Sequence, residues 1–177
     1  MPRCAVAVTS AVGVTIAELN ALDRVSFVEA IGWVFEHSPW VAEGAWVRRP
    51  FATVDQLHRA MMAVVVDADR EHQDALVRAH PDLGARARMS DPSVGEQAGA
   101  GLDRLTPGDF ARLQRLNAAY REKFGFPFLL AVKGSTSQQV LAALEARLPR
   151  TAEEEFEEAL QQVYRIAFFR LDDLIRT

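Results

Sequence analysis

Three side chains in this sequence have types and settings suited to proton chemistry on a small anionic molecule: His80, Glu96 and Arg170. His80 lies in Ala79-His80-Pro81-Asp82-Leu83-Gly84, where a helical pattern runs into a proline. Proline pushes the preceding residue out of the helical region toward an extended conformation. The imidazole is thus set where a helix stops, its ring able to turn into a cleft. Histidine titrates near neutral pH and is the commonest proton-transfer side chain. A lone histidine at a helix end is also ordinary surface chemistry, so this segment decides nothing alone.

Glu96 belongs to Ser93-Val94-Gly95-Glu96-Gln97, followed by Ala98-Gly99-Ala100-Gly101-Leu102. Ser93 and Glu96 have the spacing of a capping box, which needs no function. The glycines ask for more, since each costs up to about 1 kcal/mol against alanine inside a helix. They permit close approach of a second helix or a ligand, and a helix start suits an anionic group. Arg170 sits in Ile166-Ala167-Phe168-Phe169-Arg170-Leu171. A guanidinium in such apolar surroundings takes an anionic partner or a ligand carboxylate. The alternative is a solvated face shared with Asp172, Asp173 and Arg176. The fourth feature is the apolar run Phe126-Pro127-Phe128-Leu129-Leu130-Ala131-Val132. It reads as a buried extended segment, whose backbone groups need partners from neighbouring side chains or a ligand.

The elements that must hold these groups are helices. Ser or Thr followed three residues later by Glu or Gln recurs at Thr15/Glu18, Ser26/Glu29, Thr53/Gln56, Ser93/Glu96, Thr136/Gln139 and Thr151/Glu154. Apolar stripes at helical spacing follow, among them Phe27, Ile31, Val34 and Phe35; Leu57, Met61, Met62 and Val65; Phe110, Leu113, Leu116 and Tyr120. Phe156, Leu160, Val163, Ile166, Phe169 and Leu174 form a last, long stripe. Pro39 and Pro107 suit first turns, and Gly125 and Pro149 suit helix stops. The acidic run Glu153, Glu154, Glu155, Glu157 and Glu158 reads as solvated opening turns at the positive end of the helix dipole. The prediction is an all-α, single-domain helical bundle over 15–177, with a loose segment 1–14 ahead of it and a buried extended segment near 126–132. The irregular loop from Gly84 to Pro92 falls where an active-site loop would lie.

Composition narrows the function classes. The chain has 177 residues, 49% of them apolar, and a net charge of -4, which gives no basis for nucleic-acid or anionic-membrane binding. No run reaches the roughly 18 apolar residues that cross a membrane. One cysteine, Cys4, excludes an internal disulfide framework and a Cys-rich zinc site. The faintly signal-like stretch 4–14 is broken by Thr9 and Ser10, and a cytoplasmic location is expected. His37, His58, His72 and His80 lack metal-ligand spacing, leaving only a mixed His80, Asp82 and Glu96 site as a metal alternative.

Taken in order, the blocks Ala-His-Pro-Asp-Leu-Gly, Ser-x-x-Glu-Gln-x-x-Ala-Gly-Leu, Leu-Asn-x-x-Tyr-x-x-Lys-Phe-Gly-Phe-Pro-Phe and the closing Arg170-Leu171-x-Asp-Leu resemble the 2-oxo-4-hydroxy-4-carboxy-5-ureidoimidazoline decarboxylase family. Phe35-Glu36-His37-Ser38-Pro39-Trp40-Val41, Trp46 and Arg49-Pro50-Phe51 are similar to it too. The resemblance runs from about residue 15 to the C-terminus. It implies an all-helical homodimer that decarboxylates a ureidoimidazoline to (S)-allantoin in urate degradation, with no cofactor and no metal. Carried over by motif, His80 and Glu96 are the catalytic pair. Pro81, Ser93, Val94, Gly95, Gln97, Phe128, Leu129, Leu130, Ala131, Val132 and Arg170 surround the substrate, with the main chain of 128–132 binding ring or ureido amides. A helix C-terminus would favour the imidazolium form of His80. Glu96 near a helix N-terminus would stay ionised and polarise His80 or a substrate hydroxyl. Two other readings stand beside this one: a related lyase acting on another ureide, and a non-catalytic helical interaction module.

Overall fold

The structure, a computed structural model, describes residues 13–85 and 91–176. Its helices, in chain order, are α1 (Ile16–Ala21), α2 (Arg24–Ile31), α3 (Pro39–Trp46), α4 (Val54–Val66), α5 (Arg70–Arg78), α6 (Asp91–Gly99), α7 (Pro107–Phe124), α8 (Ser137–Arg147) and α9 (Ala152–Leu174). Two short strands, β1 (Val14–Thr15) and β2 (Ile175–Arg176), pair in parallel, Val14 with Ile175 and Thr15 with Arg176. This clasp joins the two ends of the described fold and has no counterpart in the sequence reading, because two residues carry no strand periodicity. Cys4 and residues 86–90 of the Gly84–Pro92 loop lie outside the described residues.

Helix α9 is the spine. It packs on α4, α5 and α7, while α2, α3 and α4 pack in succession and α7 supports α8. Phe156, Ala159, Val163, Ala167 and Leu171 recur at three- and four-residue steps and are buried. The same stripe carries Arg170 inward. Full capping boxes open α1, α8 and α9 at Thr15, Thr136 and Thr151. Thr106 caps α7 ahead of Pro107, and Gly125 closes it at φ 77°, in the left-handed region that glycine enters without strain.

Four expectations are corrected. Helix α2 begins at Arg24, two residues before Ser26, because the Asp23 carboxylate accepts from the Ser26 amide and takes the cap. Gln56 reaches past Thr53 to the Ala52 amide, so only half of that box forms. Helix α6 begins at Asp91, which places Ser93 inside it rather than at its cap. In the acidic run, Glu155 is not solvated: it is fully buried against Arg147. The 126–132 segment forms neither helix nor strand and is mostly buried, as its apolar run predicts.

Candidate active site

Helix α5 starts on an Asp69 cap and ends at Arg78, and Pro81 prevents its continuation past His80. The imidazole turns back under its own helix, with Nδ1 3.0 Å from the Leu76 carbonyl oxygen. A carbonyl only accepts, so Nδ1 carries the ring proton and Nε2 keeps its lone pair. Burial pushes the His80 pKa from 6.5 to about 4, against the opposing pull of the Leu76 carbonyl and the Glu36 charge. Arg170 and His37 lower it further. The expected imidazolium is therefore replaced by neutral imidazole near pH 7: loss of hydration outweighs the helix dipole.

Arg170 is the hub of the site. Its Nε donates to Glu96 Oε1 at 2.8 Å. Nη1 donates to Glu36 Oε2 at 3.0 Å and to the Val34 carbonyl at 3.2 Å. Nη2 donates to Ser93 Oγ at 3.1 Å and to Glu96 Oε2 at 3.2 Å. All five guanidinium N–H donors thus have protein acceptors. Ser93, released from capping, also donates from its hydroxyl to Glu36 at 3.2 Å. Glu96 is engaged by Arg170, and the carboxylate charge felt at His80 is that of Glu36. Glu36 is buried and follows α2 in a turn, with His37 Nε2 3.8 Å from its other oxygen. Its neighbours carried the family resemblance, but nothing in its spacing marked it as part of the site.

His80, Pro81, Ser93, Glu96, Gln97, Leu129, Leu130, Val132 and Arg170 line one cavity of about 20 Å³, together with Leu83 and Ile166. Nine of the thirteen expected site residues thus meet around a space with room for about one water. The other four lie elsewhere. Gly95 lines an adjoining cleft. Val94 is exposed, because the helical turn that buries Ser93 and Gln97 turns it outward. Phe128 packs under Arg147 and against Tyr120. Ala131 gives its amide to Gln162 Oε1 at 3.0 Å, so in this arrangement that N–H already has an acceptor.

The walls are braced from behind. Arg147 donates to the Leu129 carbonyl at 2.7 Å and is held by Glu155. Glu155 in turn accepts from the Tyr120 hydroxyl. Gln97 accepts from the Gly84 amide at 2.8 Å, and Asn117 donates to the Leu83 carbonyl at 2.8 Å, fixing the turn after His80. Gly84 has φ 74°, and a Cβ there would stand 2.6 Å from Leu113 Cδ2, so only glycine fits. The mixed metal alternative does not assemble. Asp82 pairs with Arg121 and Glu96 with Arg170, and no cluster of three potential ligands occurs among the described residues.

Comparison with known proteins supplies the chemical context. The family model for OHCU decarboxylase matches residues 20–172. A 2-oxo-4-hydroxy-4-carboxy-5-ureidoimidazoline decarboxylase of Haloferax volcanii is 50% identical over 157 residues, covering 89% of this chain and 94% of that one. The uric acid degradation bifunctional protein PucL of Bacillus subtilis is 47% identical over 161 residues, covering 91% of this chain and 33% of that longer protein. A crystal structure of (S)-allantoin synthase superposes with a TM-score of 0.78 at 36% identity, over 93% of this chain and 55% of that one.

Proposed function

The chain belongs to the OHCU decarboxylase family, and from that premise we propose that it converts 2-oxo-4-hydroxy-4-carboxy-5-ureidoimidazoline to (S)-allantoin, with His80 as proton shuttle. The observation that carries this reading is the convergence of His80, Glu96 and Arg170 with Leu129, Leu130 and Val132 on one cavity.

The substrate bears a hydroxyl and a carboxylate on one ring carbon, next to a carbon joined to an imine-type nitrogen. When the bond to the carboxylate breaks, its electron pair enters the ring and is accepted by that nitrogen, which takes a proton. The resulting enol loses its hydroxyl proton, and the neighbouring carbon is protonated on one face. Overall one CO2 leaves and one proton is taken up. Neutral His80 is equipped for the last two of these transfers: Nε2 removes the hydroxyl proton, and the imidazolium so formed delivers it to carbon. A positioned acid–base group of this kind contributes roughly 100- to 10,000-fold. The low proton affinity that burial imposes on His80 makes it a weak base and, once protonated, a strong donor. Arg170 keeps positive charge beside the departing carboxylate, and the fixed walls orient the ring.

The test is decarboxylation of freshly generated substrate with and without the protein, followed by circular dichroism of the allantoin. Racemic product at the uncatalysed rate would refute the reading. The same reading carries a catalytic unit over 15–177 that works in the cytoplasm as a homodimer, which light scattering and fractionation test. No helix among the described residues is long and apolar enough to cross a membrane.

A further inference from the structure

The inner cavity, at about 20 Å³, is far smaller than a substituted five-membered ring, so substrate reaches His80 only if part of the wall moves. A second cleft of about 500 Å³ adjoins it, lined among others by Trp33, Gly95, Gly99 and Lys133. Glu96 and Arg170 line both spaces. The partition between them is the Glu96–Arg170 ion pair.

The two members of that pair are not equally held. The side chains of Arg170 and Glu36 are 3% and 2% exposed, whereas that of Glu96 is 26% exposed. Among the acceptors on Arg170, Glu96 is thus the one within reach of solvent. Its helical neighbours Gly95 and Gly99 present no side chains, and a Cβ built at either meets nothing within 4 Å. Room therefore exists for the Glu96 side chain to swing. These glycines weaken α6 by up to about 1 kcal/mol each relative to alanine, a cost that neither helix packing nor backbone geometry here explains.

We propose that the outer cleft is the entry subsite for the ring carboxylate, and that the incoming carboxylate replaces Glu96 on Arg170 by ion-pair exchange. This rests on the decarboxylase reading of the same site. Exchange preserves the charge on every group: one carboxylate leaves the guanidinium as another arrives, so the Nε and Nη2 donors that Glu96 vacates are taken up again while Glu36 stays on Nη1. It releases Glu96 toward the substrate only after binding, which ties its availability to occupancy. Long-range attraction does not drive entry, because Asp91 and Asp173 also line the cleft and Lys133 is already held by Asp173 at 2.6 Å; the anion is taken by exchange at Arg170 itself.

The test fills the cleft. Gly99→Leu projects a side chain into it, Gly99→Ala is the control, and both improve helix propensity and should fold. Gly99→Leu is expected to lower kcat/KM roughly tenfold, chiefly through KM, with Gly99→Ala near wild type. As an independent measure, Glu96→Ala should bind pyroglutamate, an inert five-membered-ring carboxylate, about threefold or more tightly than wild type by titration, because the internal competitor is gone. Unchanged kcat/KM in Gly99→Leu would overturn the route. So would pyroglutamate binding to Glu96→Ala no tighter than to wild type. Loss of wild-type turnover itself would instead overturn the decarboxylase reading.

Discussion

Replacing His80 with asparagine separates its ionisation from its packing. Asparagine keeps an N–H near the position of Nδ1, so the bond to the Leu76 carbonyl survives while the Nε2 lone pair is lost. In the folded chain the imidazole pKa is about 4, against 6.5 for the exposed group. The folded state therefore resists protonation. As pH falls through 6.5 the unfolded chain takes up this proton first, and wild-type stability declines until the folded value is reached. The full linkage is about 3 kcal/mol, and about 2 kcal/mol of it is lost between pH 7.5 and pH 5. The groups acting on His80 are the Leu76 carbonyl and Glu36, which raise its proton affinity, and Arg170 and His37, which lower it. They remain in the variant, as does His58, whose pKa burial also lowers. Subtracting the variant's urea-unfolding free energy from that of wild type at each pH isolates the single site. The difference should fall by about 2 kcal/mol over that interval, while kcat drops by roughly 100-fold or more. Parallel stability curves would show that His80 is not held neutral by burial. Wild-type kcat in a folded variant would remove it from the reaction.

Other outcomes follow from the same contacts. Glu36→Gln removes the carboxylate that raises His80's proton affinity, so kcat should fall roughly tenfold and the pH-dependent stability difference just described should widen; an unchanged pH profile would separate Glu36 from His80. Glu155→Gln leaves Arg147 with a neutral partner in the interior, a loss of about 3–5 kcal/mol and a Tm lower by roughly 10 °C; a shift of about 1 °C would mean the pair carries no net stability. Tyr120→Phe deletes only the hydroxyl bonded to Glu155 and should cost about 1.5–3 kcal/mol by chemical denaturation. Dialysis against a chelator should leave the decarboxylation rate unchanged, because Asp82 and Glu96 are committed to arginines; loss restored by zinc or manganese would overturn that.

The helices were legible because their signals are local: Thr106, Pro107 and Gly125 specify the ends of α7 within the segment itself. The Pro81 stop was legible for the same reason, and so was the convergence of His80, Glu96 and Arg170, through motif order. What stayed hidden depends on which way a polar side chain faces. Ser93 and Glu96 have the spacing of a cap, yet Asp91 starts the helix and the pair turns inward to Arg170. Glu155 sits in a run of five acidic residues, and its buried partners Tyr120 on α7 and Arg147 on α8 distinguish it from its neighbours. Glu36 reaches Arg170 across 134 positions, a relation no local pattern encodes.

The two buried ionic clusters along α9 show why burial of charge alone does not identify a site. Toward the N-terminal end, Arg147, Glu155 and Tyr120 pin the Leu129 carbonyl, and both the guanidinium and the carboxylate are essentially sealed, at 6% and 0% side-chain exposure. Toward the C-terminal end, Arg170 also binds buried partners, but one carboxylate, Glu96, faces an open cleft and a cavity at once. A sealed pair is strongly destabilised by loss of either partner and gains nothing from exchange. A pair with one exposed member can trade that member for a ligand of the same charge at little net cost in desolvation. The buried segment 126–132 runs between them, anchored by the sealed cluster and presenting Leu129, Leu130 and Val132 to the exchangeable one. The rigidity that orients a substrate and the mobility that admits it are thus assigned to different arginines. On this argument Arg147→Lys should affect stability far more than KM, and Arg170→Lys should affect KM and kcat together. Equal losses of stability with unchanged kinetics in both variants would refute the division.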